Sequence, residues 1–298
     1  MKNLDVLVDV GSEYNPETLR FDHHQRSFAE TFSPDHKIRL SSAGLIFKHF
    51  GRKIIAARTK IEDSEKIEVI FNRLYSSFVE AMDAIDNGVN KYPSDVQPVY
   101  QESTSLPSRV ERLNPDWNET LSDDEIMARF KQAIVLCGVD FEDALKTIVK
   151  SWLPARQYVL DAIQSRFEFH PSGSILYFEQ FVPWKNHFFT FQKMEERDLG
   201  ESSLKDVYYV VYHSGDQYRY INIPPFASSF DSRLNVPKEW CGFRDAELDA
   251  ITGVPGCTFV HHSGFTGGNK TLEGLVQMLE IALQQKENEP QAKKSRSD

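Results

Sequence analysis

The sequence predicts an α/β protein with two domains, and three observations lead to that class. An aliphatic strand opens the chain over residues 4–11, and helices with apolar residues at three- and four-residue spacing follow it. From Ser174 onward the pattern changes to short strand-like runs that are separated by hairpin turns, which predicts a second domain of the α+β type. A length of 298 residues, 40% of them hydrophobic, is long for one core and sufficient for two.

The domain limits follow from these changes in pattern. The first domain is predicted over residues 1–152, and its sheet is predicted to be open and parallel. The second domain is predicted over residues 153–287. The last segment, 288–298, is polar and rich in lysine and serine, and its composition predicts a disordered tail.

The first domain begins with the strand over 4–11 and continues into two helices. Serine precedes and glycine closes a predicted helix over 40–51, in which Ala43 and Gly44 would permit close packing. A longer helix is predicted over 62–87, because its apolar residues recur on one face and it stops at an Asn-Gly pair.

The rest of the first domain is predicted to be a long loop followed by further helices. Residues 92–120 are rich in proline, serine and asparagine, which is typical of an ordered loop or linker. Helices resume after the capping residue Ser122 and run to about Phe167. Breaks are predicted at Gly138 and Pro154.

The second domain is predicted to contain several strands and a closing helix. β-branched and aromatic residues are enriched in the strand-like runs, and glycine or aspartate separates several of them. A glycine-rich turn over 263–270 and a helix over 271–285 end this domain. The predicted strands cover residues 175–178, 188–191, 207–212, 218–223 and 257–261.

Charge, cysteine content and hydropathy exclude several classes of protein. A net charge of −10 repels polyanions, so any nucleic acid would have to be held by a local basic groove and by metal. Three scattered cysteines without a C-x-x-C spacing argue against a disulfide framework or a zinc knuckle, and favour a reducing, intracellular compartment. No apolar run approaches the ~20 residues that span a bilayer, so we expect no membrane association.

The triplet Asp22-His23-His24 is the first candidate for chemistry. It follows Asp9 by thirteen positions, and Asp9 is predicted to lie at the carboxyl end of the opening strand, where open α/β sheets place their sites. Carboxylate oxygen suits manganese or magnesium, and imidazole suits manganese, iron, cobalt or zinc. An exposed polar turn is the alternative interpretation of the triplet alone.

Asp83 and Asp86, near the end of the long predicted helix, are a second source of carboxylates. Their three-residue spacing predicts that both side chains point the same way. Two metals about 3.5 to 4 Å apart can bind a phosphoryl group and activate water, which requires several carboxylates and a histidine. A solvated acidic helix face is the alternative.

The glycine-rich turn before the last helix is a candidate anion site. Glycines allow a close approach of backbone to ligand, and free N–H groups at a helix N-terminus favour anions. A plain connection between strand and helix is the alternative interpretation. The candidate substrate-binding residues are Gly264, Gly267, Gly268, Asn269, Lys270 and His261, with His262 as an alternative to His261.

Taken together, these residues resemble the Myg-one (melanocyte proliferating gene one) exonuclease family of the DHH phosphoesterase superfamily. The resemblance covers almost the whole chain, and its long motifs are specific. They are Val8-Asp9-Val10-Gly11, Tyr14-Asn15-Pro16, Phe21 to Phe28, Leu40 to Ile46, Asp83 to Gly88, Trp152 to Arg156, His170 to Gly173, Pro255-Gly256-Cys257 and Ser263 to Lys270.

The resemblance implies a metal-dependent phosphodiesterase, in this family a 3′-to-5′ exoribonuclease that acts in nuclear and mitochondrial RNA processing. The expected cofactor is divalent manganese or magnesium, and the expected partner is single-stranded RNA or a nucleotide. The superfamily has a DHH-type catalytic domain and a second domain whose glycine-rich turn grips the substrate. The sequence does not fix the oligomeric state.

The resemblance also assigns roles to individual residues. Asp9 would bridge metals, His23 would be a metal ligand, and Asp86 would be the last ligand, with Asp83 as the other candidate. His24 would contact the scissile phosphate and Asp22 would orient the histidines. Three residues of the glycine turn would hold the substrate phosphate or the RNA end: Gly267, Gly268 and Asn269.

The chain departs from the family at its start. Family members begin with a strand and a helix that carry a His-x-Gly-x-x-His-x-Asp-Glu motif. These 298 residues do not contain this motif. Either the sequence begins at an internal methionine, or the DHH-type sheet lacks its first strand–helix unit, ~30 or more residues, and the metal site lacks some ligands. In the second case we expect weak or absent activity. Two alternatives to an RNA exonuclease follow: a catalytically silent protein that binds RNA ends or protein partners, and a hydrolase of small phosphoesters.

Overall fold

A computed structural model describes residues 4–92, 95–96 and 100–288 of the chain, with side-chain environments up to residue 286. The chain divides into two compact units, 1–153 and 154–298. Both contain helices and a mixed sheet, so the α/β class is confirmed. The elements of the first unit are β1 (Leu7–Val8), β2 (Tyr14–Asn15), β3 (Arg20–Phe21), α1 (Ser42–Thr59), α2 (Ser64–Leu74), α3 (Glu80–Asp86), α4 (Leu106–Glu111) and α5 (Asp123–Thr147).

The sheet of the first unit is small and mixed rather than wholly parallel. Its order is β1-β3-β2, with β1 parallel and β2 antiparallel to β3. The predicted opening strand is shortened to two residues, because Asp9 adopts a left-handed φ of 66° that ends the extended backbone. Leu7 is buried, whereas Val6 and Val8 are exposed, so only one face of this strand packs on the core.

Helix α1 is longer than predicted because Gly51 lies inside it. A Cβ at Gly51 would approach the Phe71 ring to 2.7 Å, so this glycine allows α1 and α2 to pack closely and does not end the helix. Ser41 caps the N-terminus by accepting the Gly44 N–H. The helix ends where Lys60 adopts a left-handed φ of 62°.

The predicted helix over 62–87 is present, with a π-helical turn (Tyr75–Val79) between α2 and α3. In the loop predicted over 92–120, the described residues include the short helix α4. The predicted break at Gly138 is wrong, because α5 continues through it with open space around the glycine. The predicted break at Pro154 is also wrong, because the helical backbone continues from α5 through a second π-helical turn (Ile148–Trp152) into the helix that contains Pro154.

The second unit packs helices against both faces of a five-stranded sheet, and two buried apolar clusters form its core. Its elements are α6 (Leu153–Phe169), β4 (Ile175–Phe178), α7 (Lys185–Leu199), β5 (Tyr209–Ser214), β6 (Gln217–Asn222), α8 (Asp245–Thr252), β7 (Cys257–Val260), β8 (Thr266–Asn269) and α9 (Leu272–Asn288). The order of the sheet is β4-β5-β6-β8-β7, and among its described strands only β4 and β5 are parallel to each other.

Two elements of the second unit differ from the prediction. The aromatic run 188–191, predicted as a strand, lies inside α7, where Phe188 and Phe189 are buried in the core on the helix's inner side. The predicted glycine-rich turn contains a strand, β8, which pairs with β6 and β7. Gly267 fits there because a Cβ would lie 2.7 Å from both the Phe259 carbonyl oxygen and the Tyr220 ring.

Within the described residues, no helix combines the length and the apolar character needed to cross a membrane. The tail predicted over 288–298 lies outside the described residues except for Asn288, the last residue of α9.

Candidate metal centre

One aspartate and two histidines of the first unit lie close to the carboxyl ends of β1 and β3. Asp9 directly follows β1, and His23 and His24 follow β3 by two and three positions. Because the two strands are parallel neighbours, their carboxyl ends lie at the same edge of the sheet. The Asp9 N–H donates to the Phe21 carbonyl at 3.1 Å, which fixes the two segments side by side.

Three of these side chains can offer converging ligand atoms. One atom each of Asp9, His23 and His24 lies within 4.8 Å of the others. The His23 Nε2 atom lies 3.7 Å from Asp9 Oδ1 and 3.0 Å from Asp86 Oδ2, so the end of α3 supplies a further carboxylate. His23 is therefore at the centre of a cluster with two carboxylates.

The environment of the His23 ring is suited to a cation. The side chain is only 6% exposed, yet neither ring nitrogen forms a hydrogen bond with a described residue, and the short contact to Asp86 lacks hydrogen-bond geometry. Leaving a buried polar atom unpaired costs about 1–3 kcal/mol. A divalent ion would take the lone pair of one ring nitrogen, and its charge would offset the repulsion between the carboxylates of Asp9 and Asp86. These residues therefore fit a bound divalent metal.

Asp22 is buried beside His24 and holds it in place. One carboxylate oxygen accepts the Ser12 N–H at 2.7 Å, and the other contacts His24 Nδ1 at 2.6 Å and accepts the His24 N–H at 3.1 Å. Burial acts to raise the pKa of Asp22, but the hydrogen bonds from His24 and Ser12 outweigh it and lower that pKa. The hydrogen bond to Asp22 raises the pKa of the exposed His24, against a smaller opposing effect of desolvation.

Asp83 has different surroundings from Asp86. Its side chain is fully buried, and one oxygen accepts the Ser41 N–H at 2.9 Å and the Ser41 hydroxyl at 2.6 Å, while the other accepts the Tyr75 hydroxyl at 2.9 Å. The expectation that Asp83 and Asp86 point the same way is wrong, since Asp86 is half-exposed. Burial raises the pKa of Asp83, although these hydrogen bonds partly oppose it. Asp83 links α3 to the start of α1.

A cleft of about 420 Å³ opens beside the cluster, within the first unit. Asp9 and Asp86 lie on its wall, and most of the remaining lining is apolar. Its lining residues are Val8, Asp9, Ser41, Ser42, Ala43, Met82, Ile85, Asp86, Leu106, Pro107, Val110 and Cys137.

The predicted substrate-binding residues all belong to the second unit. The expectation of free N–H groups at a helix start is wrong for Gly267, Gly268 and Asn269, which lie in the paired strand β8. Asn269 is fully buried, and its side chain donates to the Pro255 carbonyl at 3.0 Å and accepts the Thr271 N–H at 3.0 Å. These contacts give Asn269 a structural role at the start of α9.

The other three predicted residues differ in accessibility. Gly264 is buried, and its carbonyl accepts the Tyr220 hydroxyl at 3.2 Å. Lys270 is exposed, and His261 is half-buried with its Nδ1 atom 2.8 Å from the Ser263 hydroxyl. The role of these residues in substrate binding stays a prediction.

The sequence analysis did not identify the residues whose hydrogen bonds hold the two buried carboxylates next to the site. Ser12, Ser41 and Tyr75 hold the buried carboxylates of Asp22 and Asp83, as described above. The only sequence signal was the small residue Gly44, whose added Cβ would lie 2.2 Å from Asp83 Oδ1. The close packing predicted at Gly44 is therefore a contact with the Asp83 carboxylate.

Comparison with known proteins places this geometry in a family context. A family model described as "Uncharacterised protein family (UPF0160)", the MYG1 exonuclease model, matches residues 1–283. The chain is 44% identical to the MYG1 protein of Dictyostelium discoideum, covering 94% of this chain and 83% of the relative. It is 41% identical to the MYG1 exonuclease of Homo sapiens, with 98% and 77% covered, and 38% identical to MYG1 protein YER156C of Saccharomyces cerevisiae, with 94% and 82% covered.

No solved structure matches the chain significantly. The match to the family model covers most of the chain, and the similarity to each of these relatives is nearly full-length. The resemblance to the Myg-one family inferred from the motifs is thereby confirmed. The chain belongs to the MYG1 exonuclease family.

Proposed function

We propose that this protein is a metal-dependent phosphodiesterase that removes nucleotides from the 3′ end of single-stranded RNA. The observation that carries the proposal is the buried His23 ring. Its nitrogens have no hydrogen-bond partner among the described residues, and its Nε2 atom is close to the carboxylates of both Asp9 and Asp86. The names of relatives such as the human MYG1 exonuclease support a nuclease reaction. RNA as substrate, the 3′-to-5′ direction and a nuclear or mitochondrial location rest on the family resemblance.

Asp9, His23 and Asp86 would hold a divalent ion, manganese or magnesium, whose ligand preferences include carboxylate oxygen and, for manganese, imidazole. When bound, such an ion polarises a phosphoryl oxygen and lowers the pKa of water. Asp83 is not proposed as a ligand, because both of its oxygens accept hydrogen bonds from Ser41 or Tyr75.

His24 and Asp22 would act on the substrate phosphate. His24 is exposed beside the cluster, and its ring is 4.4 Å from the His23 ring between centroids. The hydrogen bond that His24 Nδ1 donates to the Asp22 carboxylate fixes the orientation of this imidazole, and it raises the pKa of His24, which favours the protonated form. A protonated His24 would donate a hydrogen bond to a phosphate oxygen or give a proton to the leaving oxygen.

The test is hydrolysis of a single-stranded RNA labelled at its 5′ end, with manganese, magnesium or a chelator present. Stepwise shortening from the 3′ end that depends on metal is expected. His23→Ala should lower the rate at least about a hundredfold, because it removes a metal ligand. The matched control is His213→Ala, an exposed histidine of the second unit, which should leave the rate unchanged.

Three other outcomes would redirect or refute the proposal. A rate that rises as the oligonucleotide shortens to a dinucleotide would identify a small-phosphoester hydrolase, an activity for which the limited cleft volume beside the cluster offers some support. Metal-independent cleavage, or full activity of His23→Ala, would refute the metal mechanism. RNA binding without any cleavage at saturating manganese would identify a catalytically silent binding protein.

A further inference from the structure

The first residue of α1 has a buried hydroxyl group without a partner. Ser42 is 4% exposed, and its Oγ atom forms no hydrogen bond with any described residue. Burying an unpaired hydroxyl is unfavourable unless another group completes its hydrogen bond. Ser42 also lines the cleft that contains Asp9 and Asp86, so a ligand in that cleft is the natural candidate for the missing partner.

Backbone donors lie beside this hydroxyl. The first N–H groups of an α-helix lack acceptors inside the helix, and the Gly44 N–H is satisfied by the Ser41 hydroxyl. The N–H groups of Ser42 and Ala43 have no acceptor among the described residues, and both residues line the cleft. Because α1 is 18 residues long, its macrodipole adds positive potential at this end.

The acidic groups around this helix start determine which ligand it can take. Asp83 already accepts the Ser41 N–H and hydroxyl, and its other oxygen is bonded to Tyr75, so it leaves the two following N–H groups available. Asp9 and Asp86 on the same cleft would repel an anion unless a cation lies between them. The combination fits a metal-bound anion rather than a free one.

We propose that Ser42 Oγ, with the N–H groups of Ser42 and Ala43, binds a non-bridging phosphate oxygen of the substrate beside the metal. This assignment rests on the proposed function and adds a positioning site for the phosphate that is distinct from the ligand cluster. Hydrogen-bond donors and a helix N-terminus would stabilise negative charge on the phosphate. His24 would contact the same phosphate from the side of the cluster.

The test measures binding of inorganic phosphate by calorimetry, with and without magnesium, so that it requires no hydrolysis. Wild-type protein should bind phosphate only when magnesium is present. Ser42→Ala should weaken phosphate binding about tenfold to a hundredfold, because it removes one hydrogen bond to a charged group. Magnesium affinity should not change. Ser77→Ala is the matched control, since the exposed Ser77 hydroxyl donates only to the Arg73 carbonyl, and it should bind phosphate normally.

Thermal unfolding separates this role from a structural one. Ser42→Ala should be at least as stable as wild type, because the deleted hydroxyl has no partner among the described residues and alanine favours helices. Equal phosphate affinity in Ser42→Ala and wild type would overturn the assignment, as would magnesium-loaded wild type that binds no phosphate. Parallel losses of stability and magnesium affinity would also overturn it. Failure of the RNA hydrolysis assay alone would refute the proposed function, whereas the calorimetric measurement of phosphate binding could still be interpreted.

Discussion

Replacing Asp83 tests whether this residue positions the helices or binds metal. In Asp83→Ala the Ser41 N–H, the Ser41 hydroxyl and the Tyr75 hydroxyl lose their buried acceptor. Three orphaned donors at about 1–3 kcal/mol each, partly offset because no carboxylate has to be buried, give an expected loss of about 2–5 kcal/mol in the free energy of unfolding. Asp83→Asn keeps one acceptor oxygen for Ser41, so its loss should stay within about 1 kcal/mol.

Urea denaturation at neutral pH, with an unchanged m-value, measures these losses. Asp86→Ala is the matched comparison, because Asp86 is half-exposed beside His23. It should reduce manganese affinity strongly and stability little. Manganese binding by Asp83→Asn should be close to wild type. If Asp83→Asn lost manganese affinity as Asp86→Ala does, with stability unchanged, the positioning role would be refuted.

The pH dependence provides a second check on Asp83. Burial raises its pKa above that of the unfolded chain, so the folded state binds more protons between the two values. The contribution of this carboxyl therefore favours folding at acid pH and is lost as pH rises from about 4 through the folded-state pKa. In Asp83→Asn the free energy of unfolding should not show this decrease with rising pH. The same pH dependence in wild type and Asp83→Asn would contradict a raised pKa at Asp83.

Three further variants test the packing and the electrostatics of the fold. Gly44→Ala places a Cβ 2.2 Å from Asp83 Oδ1 and should lower the free energy of unfolding by about 1–3 kcal/mol. A Cβ at Gly138 meets nothing within 4 Å, so Gly138→Ala should raise the free energy of unfolding by about 0.5–1 kcal/mol. Urea denaturation measures both, and a Gly44→Ala protein more stable than Gly138→Ala would contradict this packing. Asp249 accepts hydrogen bonds from the Gly256 and Cys257 N–H groups. Desolvation acts to raise the pKa of Asp249, but these hydrogen bonds outweigh it and lower that pKa. The carboxylate therefore stabilises the fold above the pKa that Asp249 has in the unfolded chain, and this effect is lost as pH falls through its pKa in the folded protein. Asp249→Ala should cost about 1–3 kcal/mol at neutral pH and much less near pH 2, and an equal loss at both pH values would argue against this charge effect.

The sequence was most informative where a periodic pattern and a cap agreed. The capping serine Ser122, the apolar spacing of α2 and most strands of the second unit were predicted from local chemistry. Glycine was the main source of error. Gly51 and Gly138 lie inside helices and Gly267 in a strand, because what a missing side chain permits depends on neighbours that are distant in sequence.

The candidate site was predicted in part. Asp9, His23 and Asp86 do converge, because parallel pairing of β1 with β3 and the end of α3 bring them together. The different position of Asp83 could not be predicted, since a helical spacing of three does not reveal that Ser41 and Tyr75 supply donors to one of the two carboxylates.

Spectroscopy of bound manganese tests directly whether His23 is a nitrogen ligand of the metal. Electron spin-echo spectroscopy of the Mn²⁺-loaded protein detects magnetic coupling to a ligating imidazole nitrogen. We expect such coupling in wild type and in the control His213→Ala, and its loss in His23→Ala. Coupling that persists unchanged in His23→Ala, or a wild-type protein that binds manganese without any nitrogen coupling, would contradict this assignment.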